Sequence, residues 1–196
     1  MAFDDDAWDP WPPEVVADRL AGVDVPWCVA GGWALDLFRG ATTRSHGDLE
    51  IAVPADRFAE VAARFPECEF RVAGGGRTVP LSAEALRAHH QTWAWERDAD
   101  VWRFDVFREP HDGDTWICRR DARLRLPYAE LIRRDPQGVP YLRPEVVLLF
   151  KAKALRDKDR VDFDAVLPLL STPQRRWLDD ALALVHPAHE WRRQLS

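Results

Sequence analysis

Apolar and polar positions along the chain predict strands through its first two thirds and helices at its end. Residues 27–30 form a short apolar run, a buried strand. Gly31 and Gly32 follow, a helical pattern starts at Trp33, and Gly40 ends it. Residues 48–53 predict a strand with Leu49 and Ile51 facing a core. Pro54 opens a helix that carries Phe58, Val61, Ala62 and Phe65 on one face. Residues 69–73 predict a strand and Gly74-Gly75-Gly76 a hairpin turn. Residues 91–97 and 101–107 alternate on either side of Asp98-Ala99-Asp100, a β-hairpin signal. In its second strand Val101, Arg103, Asp105 and Phe107 share one face, and Trp102, Phe104 and Val106 the other. A short strand at 115–118 and a helical turn at 128–132 follow. Helices are predicted at 14–21, 144–155, 159–170, 173–185 and 189–195. The fold class is therefore α/β (α+β), a small mixed sheet flanked by helices. Residues 1–110 form its core, and residues 111–196 a connecting segment and a C-terminal helical subdomain.

One strand carries unusual chemistry. Asp48 and Glu50, at i and i+2, project from the same face. Two adjacent carboxylates repel unless a positive charge lies between them, and hard oxygen ligands suit magnesium. Asp105, mid-strand between Phe104 and Val106, is costly there unless paired or metal-bound, and is the natural third ligand. Upstream, the Gly31-Gly32 turn at a helix start offers backbone N–H groups to an anion. Arg39, Arg44 and His46 add cationic or hydrogen-bonding groups nearby. A phosphate cradle followed by a carboxylate pair suggests nucleotide chemistry. The plainer alternative is a tight turn and a solvated edge strand, with Asp105 and Arg103 on an exposed sheet face.

Composition narrows the possibilities. The net charge of -6 argues against broad nucleic-acid binding, which needs a basic face. No apolar run reaches membrane-span length, and residues 1–9 are acidic and unlike a signal peptide, so the expectation is a cytoplasmic protein. Cys28, Cys68 and Cys118 make neither a zinc pattern nor a paired motif. Ten tryptophans mark a well-packed core, with some left to line a ligand surface.

At these residues the sequence resembles the DNA polymerase beta-like nucleotidyltransferase superfamily. Within it, Gly31-Gly32-Trp33-Ala34-Leu35-Asp36 and Arg44-Ser45-His46-Gly47-Asp48-Leu49-Glu50-Ile51 resemble the aminoglycoside and lincosamide nucleotidyltransferase branch. The stretch from Tyr141 to Glu145, Leu149 to Lys153, and Lys158-Asp159 fits it too. Glu50 stands where the antibiotic-modifying enzymes often carry Asp. The resemblance implies a nucleotidyltransferase core and transfer of a nucleoside monophosphate, AMP, from ATP or another NTP to a small-molecule hydroxyl, with release of pyrophosphate. Asp48, Glu50 and Asp105 would be the catalytic and Mg2+-binding residues, with Asp105 a metal ligand, a general base or both. Gly31, Gly32, Arg39, Arg44 and Lys151 would meet the triphosphate. His46 would touch a phosphate or cap the turn, and Lys151 and Lys153 can also be read as solvated helix positions. The acceptor would lie against the hairpin of Trp93, Trp95 and Trp102 and the C-terminal helices.

Two other readings compete: a toxin–antitoxin-type nucleotidyltransferase acting on RNA or protein, and a non-catalytic nucleotide-binding module. An acidic cleft beside the carboxylates would favour an amino sugar, and a basic one RNA.

Overall fold

The computed structural model describes residues 3–195; Met1, Ala2 and Ser196 lie outside it. Helix α1 (Pro13–Arg19) starts on a proline, whose fixed φ suits a first helical turn. Strand β1 (Cys28–Val29) runs straight into α2 (Gly31–Arg39), and β2 (Glu50–Pro54) returns antiparallel to β1. A 3-10 turn and α3 (Phe58–Ala62) lead to the hairpin of β3 (Cys68–Gly74) and β4 (Arg77–Pro80). Helix α4 (Ala83–Ala88), capped by Ser82, precedes a second hairpin, β5 (Gln91–Glu96) and β6 (Val101–Glu109). A small sheet of β7 (His111–Asp112), β8 (Thr115–Ile117) and β9 (Arg125–Pro127) follows. Next come α5 (Tyr128–Leu131), β10 (Ile132–Arg134) and β11 (Pro140–Leu142). Four helices close the chain: α6 (Pro144–Lys151), α7 (Asp157–Val166), α8 (Thr172–Val185) and α9 (Arg192–Leu195). No described helix is long and apolar enough to cross a membrane.

Among the described residues the main sheet has eight strands, ordered β10-β11-β1-β2-β6-β5-β3-β4. The β1–β11 and β2–β6 pairs are parallel and the others antiparallel. The expected mixed sheet flanked by helices is borne out. A boundary at residue 110, however, cuts this sheet, because β11 pairs with β1. The helix expected over 144–155 stops at Lys151, and the one expected over 189–195 forms only from Arg192.

The sheet has one dry face and one chemical face. Leu49, Ile51, Phe104 and Val106 are fully buried on the first. On the second, Glu50 lies beside Asp105 and Ala52 beside Phe107, in parallel register.

The expected facing in β6 holds only for part of the strand. The β5–β6 register shifts between Ala94 and Trp95, so Trp95 opposes Trp102 and Arg103 becomes the extra residue of a bulge. Trp102 thereby joins Trp93 and Trp95, with ring centroids 5.3 and 4.7 Å away. The chain's own N-terminal segment covers this cluster. Trp102 donates its backbone N–H to Ala7 O, and Trp8 packs edge-on against Trp93 at 5.1 Å. Trp102 and Trp95 are consequently buried, which removes them as the acceptor surface that the sequence suggested.

Gly31 sets the spacing between β2 and α2. Its φ is +56°, and a Cβ there would overlap the Glu50 carboxylate. Gly22 has a φ of +74° but open space around it. Gly22→Ala should therefore cost only backbone strain, about 1–2 kcal/mol, whereas Gly31→Ala also displaces Glu50 and should cost more. Thermal unfolding of the two variants checks this, and equal losses would rule out the crowding.

Candidate active site

A cavity of about 330 Å³ opens over the chemical face of the sheet. The turn between β1 and α2 forms one edge of it. Ala30 donates its N–H to Glu50 O at 2.7 Å, which ties the turn to β2. The first-turn N–H groups of α2 have no intrahelical acceptor and give this edge a positive potential. Gly32 is crowded too, though without a positive φ: a Cβ there would run into the end of the Arg44 side chain and would approach the His46 ring to 2.7 Å.

Asp36 organises the loop that returns to β2. Its Oδ1 accepts from Thr43 Oγ1 at 2.6 Å, and its Oδ2 lies 2.7 Å from His46 Nε2. His46 also stacks on Trp33, with centroids 4.5 Å apart. His46 lines the cavity, but one ring nitrogen is committed to Asp36, so its visible work is to brace the turn. Asp36 stood in the quoted motif without a role; its burial beside a partly buried histidine appears only in three dimensions.

Asp48 is exposed just ahead of β2, and Glu50 is half-buried at its first position. Burial, then the Asp48 charge, push the Glu50 carboxyl up to about 7, although Lys151, Lys158 and Arg156 pull it down. Asp105 is buried in the neighbouring strand, and its Oδ2 accepts from Gln91 Nε2 at 2.7 Å. Its Oδ1 makes no hydrogen bond of ordinary geometry, although the Trp93 indole N–H is near enough to favour the ionised carboxyl. Burial, then the charge of Glu50, hold Asp105 well above the ordinary carboxylate range. The three acids are thus electrostatic neighbours. They are not drawn together as the sequence suggested: no set of three or more His, Cys, Asp or Glu among the described residues could hold a metal ion. Asp105 does not line the cavity itself; Gln91 tethers one of its oxygens, while Glu50 is folded against Gly31.

The opposite edge is cationic and is built by α7. Lys151 Nζ lies 3.0 Å from Asp159 Oδ1 and 2.9 Å from Asp162 Oδ2. Asp162 also holds Arg44 at 3.3 Å, and Asp159 takes Arg156 Nε at 2.8 Å. Burial opposes ionisation of Asp159, but hydrogen bonds from Arg156 and Lys151 bring it down to about 2. One helix thereby fixes cations from the loop after α2, from the end of α6 and from the residue that caps its own start. Lys153 and Lys158 line the cavity without an ion pair among the described residues. Arg39 falls elsewhere: eight residues beyond Gly31, it lies about 12 Å along the helix axis and does not line the cavity. Sequence reading missed Arg156, Asp159 and Asp162 as site residues; acids spaced i, i+3 behind a lysine-containing helix end were the available signal.

The cavity is lined by seven basic side chains, Arg44, Arg119, Arg120, Lys151, Lys153, Arg156 and Lys158, against four acidic ones, Asp48, Glu50, Glu109 and Asp159. It is therefore a basic cleft within an acidic protein.

Glu50 makes stability depend on pH. Its carboxyl binds a proton more tightly in the folded chain than the ordinary value of 4.5 allows. Folding is thus favoured below that value, and stability falls as the pH climbs from about 4.5 to about 7. In metal-free buffer Glu50→Gln should unfold about 3 °C or more above the unaltered protein at pH 8, with the gap closing at pH 5. A gap independent of pH would show that Glu50 is not the titrating group.

Residues 14–98 match the family model for aminoglycoside-2''-adenylyltransferase. No curated protein matches significantly in sequence. Among solved structures, the solution structure of the antibiotic-resistance factor ANT(2'')-Ia is 13% identical, with a TM-score of 0.58 over 93% of this chain and 95% of that one. The crystal structure of ANT(2'')-Ia with adenylyl-2''-tobramycin is 13% identical, with a TM-score of 0.55 over 86% and 94%. The lincosamide adenylyltransferase LnuA, lincomycin-bound, is 15% identical, with a TM-score of 0.54 over 77% and 91%. The chain thus has the fold of the aminoglycoside and lincosamide nucleotidyltransferases and matches one of their family models over residues 14–98, which bears out the resemblance and the enzyme class expected from its sequence.

Proposed function

We propose that the protein transfers a nucleoside monophosphate, AMP, from an NTP to a hydroxyl of a small molecule of the aminoglycoside or lincosamide kind. The observation that carries this reading is Glu50, seated on the Gly31 turn and faced by Lys151, Lys158 and Arg156. A triphosphate laid between them would meet backbone N–H groups on one side and held cations on the other.

Asp48 and Glu50 suit a divalent cation: both are hard oxygen donors that line the cleft, and each raises the cost of ionising the other unless a cation lies between them. Asp48 and Glu50, which line the cleft, would hold Mg2+, and the ion would neutralise charge on the phosphate oxygens; Asp105, outside the cleft, would act on Glu50 through its charge. Arg44, Lys151 and Arg156, fixed by Asp162 and Asp159, would take up charge on the departing pyrophosphate without having to reorganise. The acceptor oxygen bonds to the α-phosphorus as the bond to pyrophosphate breaks. Its proton passes to a carboxylate of this cluster or to water.

The surplus of basic side chains favours one second reading, an RNA acceptor. Against it stand the ion pairs that already occupy Arg44, Lys151 and Arg156.

Pyrophosphate release should require magnesium, an NTP and one acceptor, and Asp48→Asn should lower it at least 100-fold. Radiolabelled AMP found on tRNA, with none on a panel of aminoglycosides and lincosamides, would move the assignment to RNA. No release with any acceptor, and magnesium-dependent NTP binding unchanged by Asp48→Asn, would overturn the transfer reading.

A further inference from the structure

Strand β2 begins at Glu50, opposite Asp105, so the first residues of β6 have no strand beside them on the side away from β5. Residues 7–11 take that place. Trp102 donates its N–H to Ala7 O at 2.8 Å, and its carbonyl accepts from the Asp9 N–H at 3.1 Å. The Arg103 carbonyl accepts from the Trp11 N–H, also at 3.1 Å. Among the described residues these bonds are the segment's whole backbone-to-backbone attachment to the sheet. Pro10, Pro12 and Pro13 have no N–H to add.

The two ends of the segment are held differently. Trp11 is wedged on the dry face, stacked on Phe104 at 5.8 Å and 6.0 Å from Phe65. Trp8 lies on the chemical face, edge-on to Trp93, the residue paired with Asp105. Ahead of it Phe3 packs on Trp95 at 5.1 Å, with the Arg71 guanidinium 4.1 Å from its ring. Trp102 Nε1 donates to Asp4 O at 2.8 Å, and Arg103 to Asp9 O at 2.7 Å. Residues 3–9 are thus laid over the chemical face and held largely by side chains, while Trp11 anchors the chain behind them.

What they cover is not satisfied. Trp93 Nε1 and Asp105 Oδ1 are both buried, and neither makes a hydrogen bond of ordinary geometry. Asp105 is 4% exposed and does not line the cleft. Water admitted at this point would pair with both atoms, so lifting the segment recovers part of what its own contacts lose. A segment with few backbone bonds over unpaired polar atoms belongs to the least stable part of a fold.

We propose that residues 3–9 form a strap that pivots between Asp9 and Trp11, lifting while β6 keeps its pairing to β2 and β5, and that the closed strap shuts water and solutes away from Asp105. The strap's effect on turnover rests on the transfer reading above; its opening does not. Asp105 meets solvent beside Glu50 only while the strap is up.

Hydrogen exchange of the unaltered full chain tests the opening. The Trp102 amide, bound to Ala7 O, should exchange at least about 100-fold faster than the Asp105 amide, bound to Leu49 O at 2.7 Å in the same strand. Equal rates would mean that strap and sheet open only together, and would overturn the proposal. Access is read by carbodiimide-driven amidation of carboxyl groups and peptide mass analysis. Trp8→Ala should speed labelling of Asp105 about 10-fold or more, and Trp8→Phe should bring it back close to the unaltered rate. Asp162, 6% exposed and 2.9 Å from Lys151 Nζ, is the control and should label no faster. Faster labelling of Asp162 would mean that Trp8→Ala has unfolded, and the exchange ratio in the unaltered chain then decides. Unchanged labelling of Asp105 with Asp162 still protected overturns the proposal. In turnover Trp8→Ala should raise pyrophosphate release about 3-fold or more; a level or lower rate overturns the strap's restraint on the reaction. No release from the unaltered chain, with Trp102 exchange and Asp105 labelling as expected, would leave the strap standing and sink the transfer reading alone.

Discussion

The close approach of β2 to the start of α2 governs the cleft. A side chain at Gly31 would push β2 away from α2, because Glu50 fills the space over it, and one at Gly32 would crowd the Arg44 and His46 side chains of the loop before β2. The turn therefore holds a carboxylate, a guanidinium and an imidazole close to unpaired backbone N–H groups. Ala30 N–H to Glu50 O fixes the strand side of that arrangement, and Asp36, through Thr43 and His46, fixes the loop side. Loss of either brace would let charges of opposite sign drift out of register at the mouth.

The second constraint is the way the C-terminal helices supply countercharge. Asp159 and Asp162 are buried and ionised only because cations from three segments converge on them. A buried carboxylate that loses one of its partners is left strongly destabilised. The cationic edge is therefore cooperative: Arg44, Lys151 and Arg156 share two anchors on one helix. This links the N-terminal half of the sheet to the helical end of the chain by charge as well as by packing.

Much of this was legible in the sequence, for local reasons. The glycine turn, the strand with Asp48 and Glu50, and the hairpin around residues 97–100 follow from backbone freedom and a period of two. Asp105 was found because a carboxylate between Phe104 and Val106 is anomalous. What was not legible depended on distance along the chain. Arg44 and Asp162 are 118 residues apart, and nothing in either neighbourhood announces the other. The pairing of β11 with β1 is likewise non-local, which is why a boundary at residue 110 looked natural. Arg39 was misplaced because sequence proximity to Gly31 says nothing of a helix's rise. The facing of Trp102 was lost to a single extra residue in β6, since a bulge reverses every side chain beyond it.

The indole cluster on β5 and β6 has a spectroscopic consequence. Trp8, Trp93, Trp102 and Trp95, in that order, form a chain of rings whose centroids stand 5.1, 5.3 and 4.7 Å apart from one to the next. Chromophores this close and this rigidly tilted couple their excited states, so they should give a strong near-ultraviolet dichroic band and transfer energy among themselves. Trp8 arrives from the N-terminal segment, while the other three are fixed in the hairpin. The coupling therefore reports, with no added label, whether that segment is docked on the start of β6.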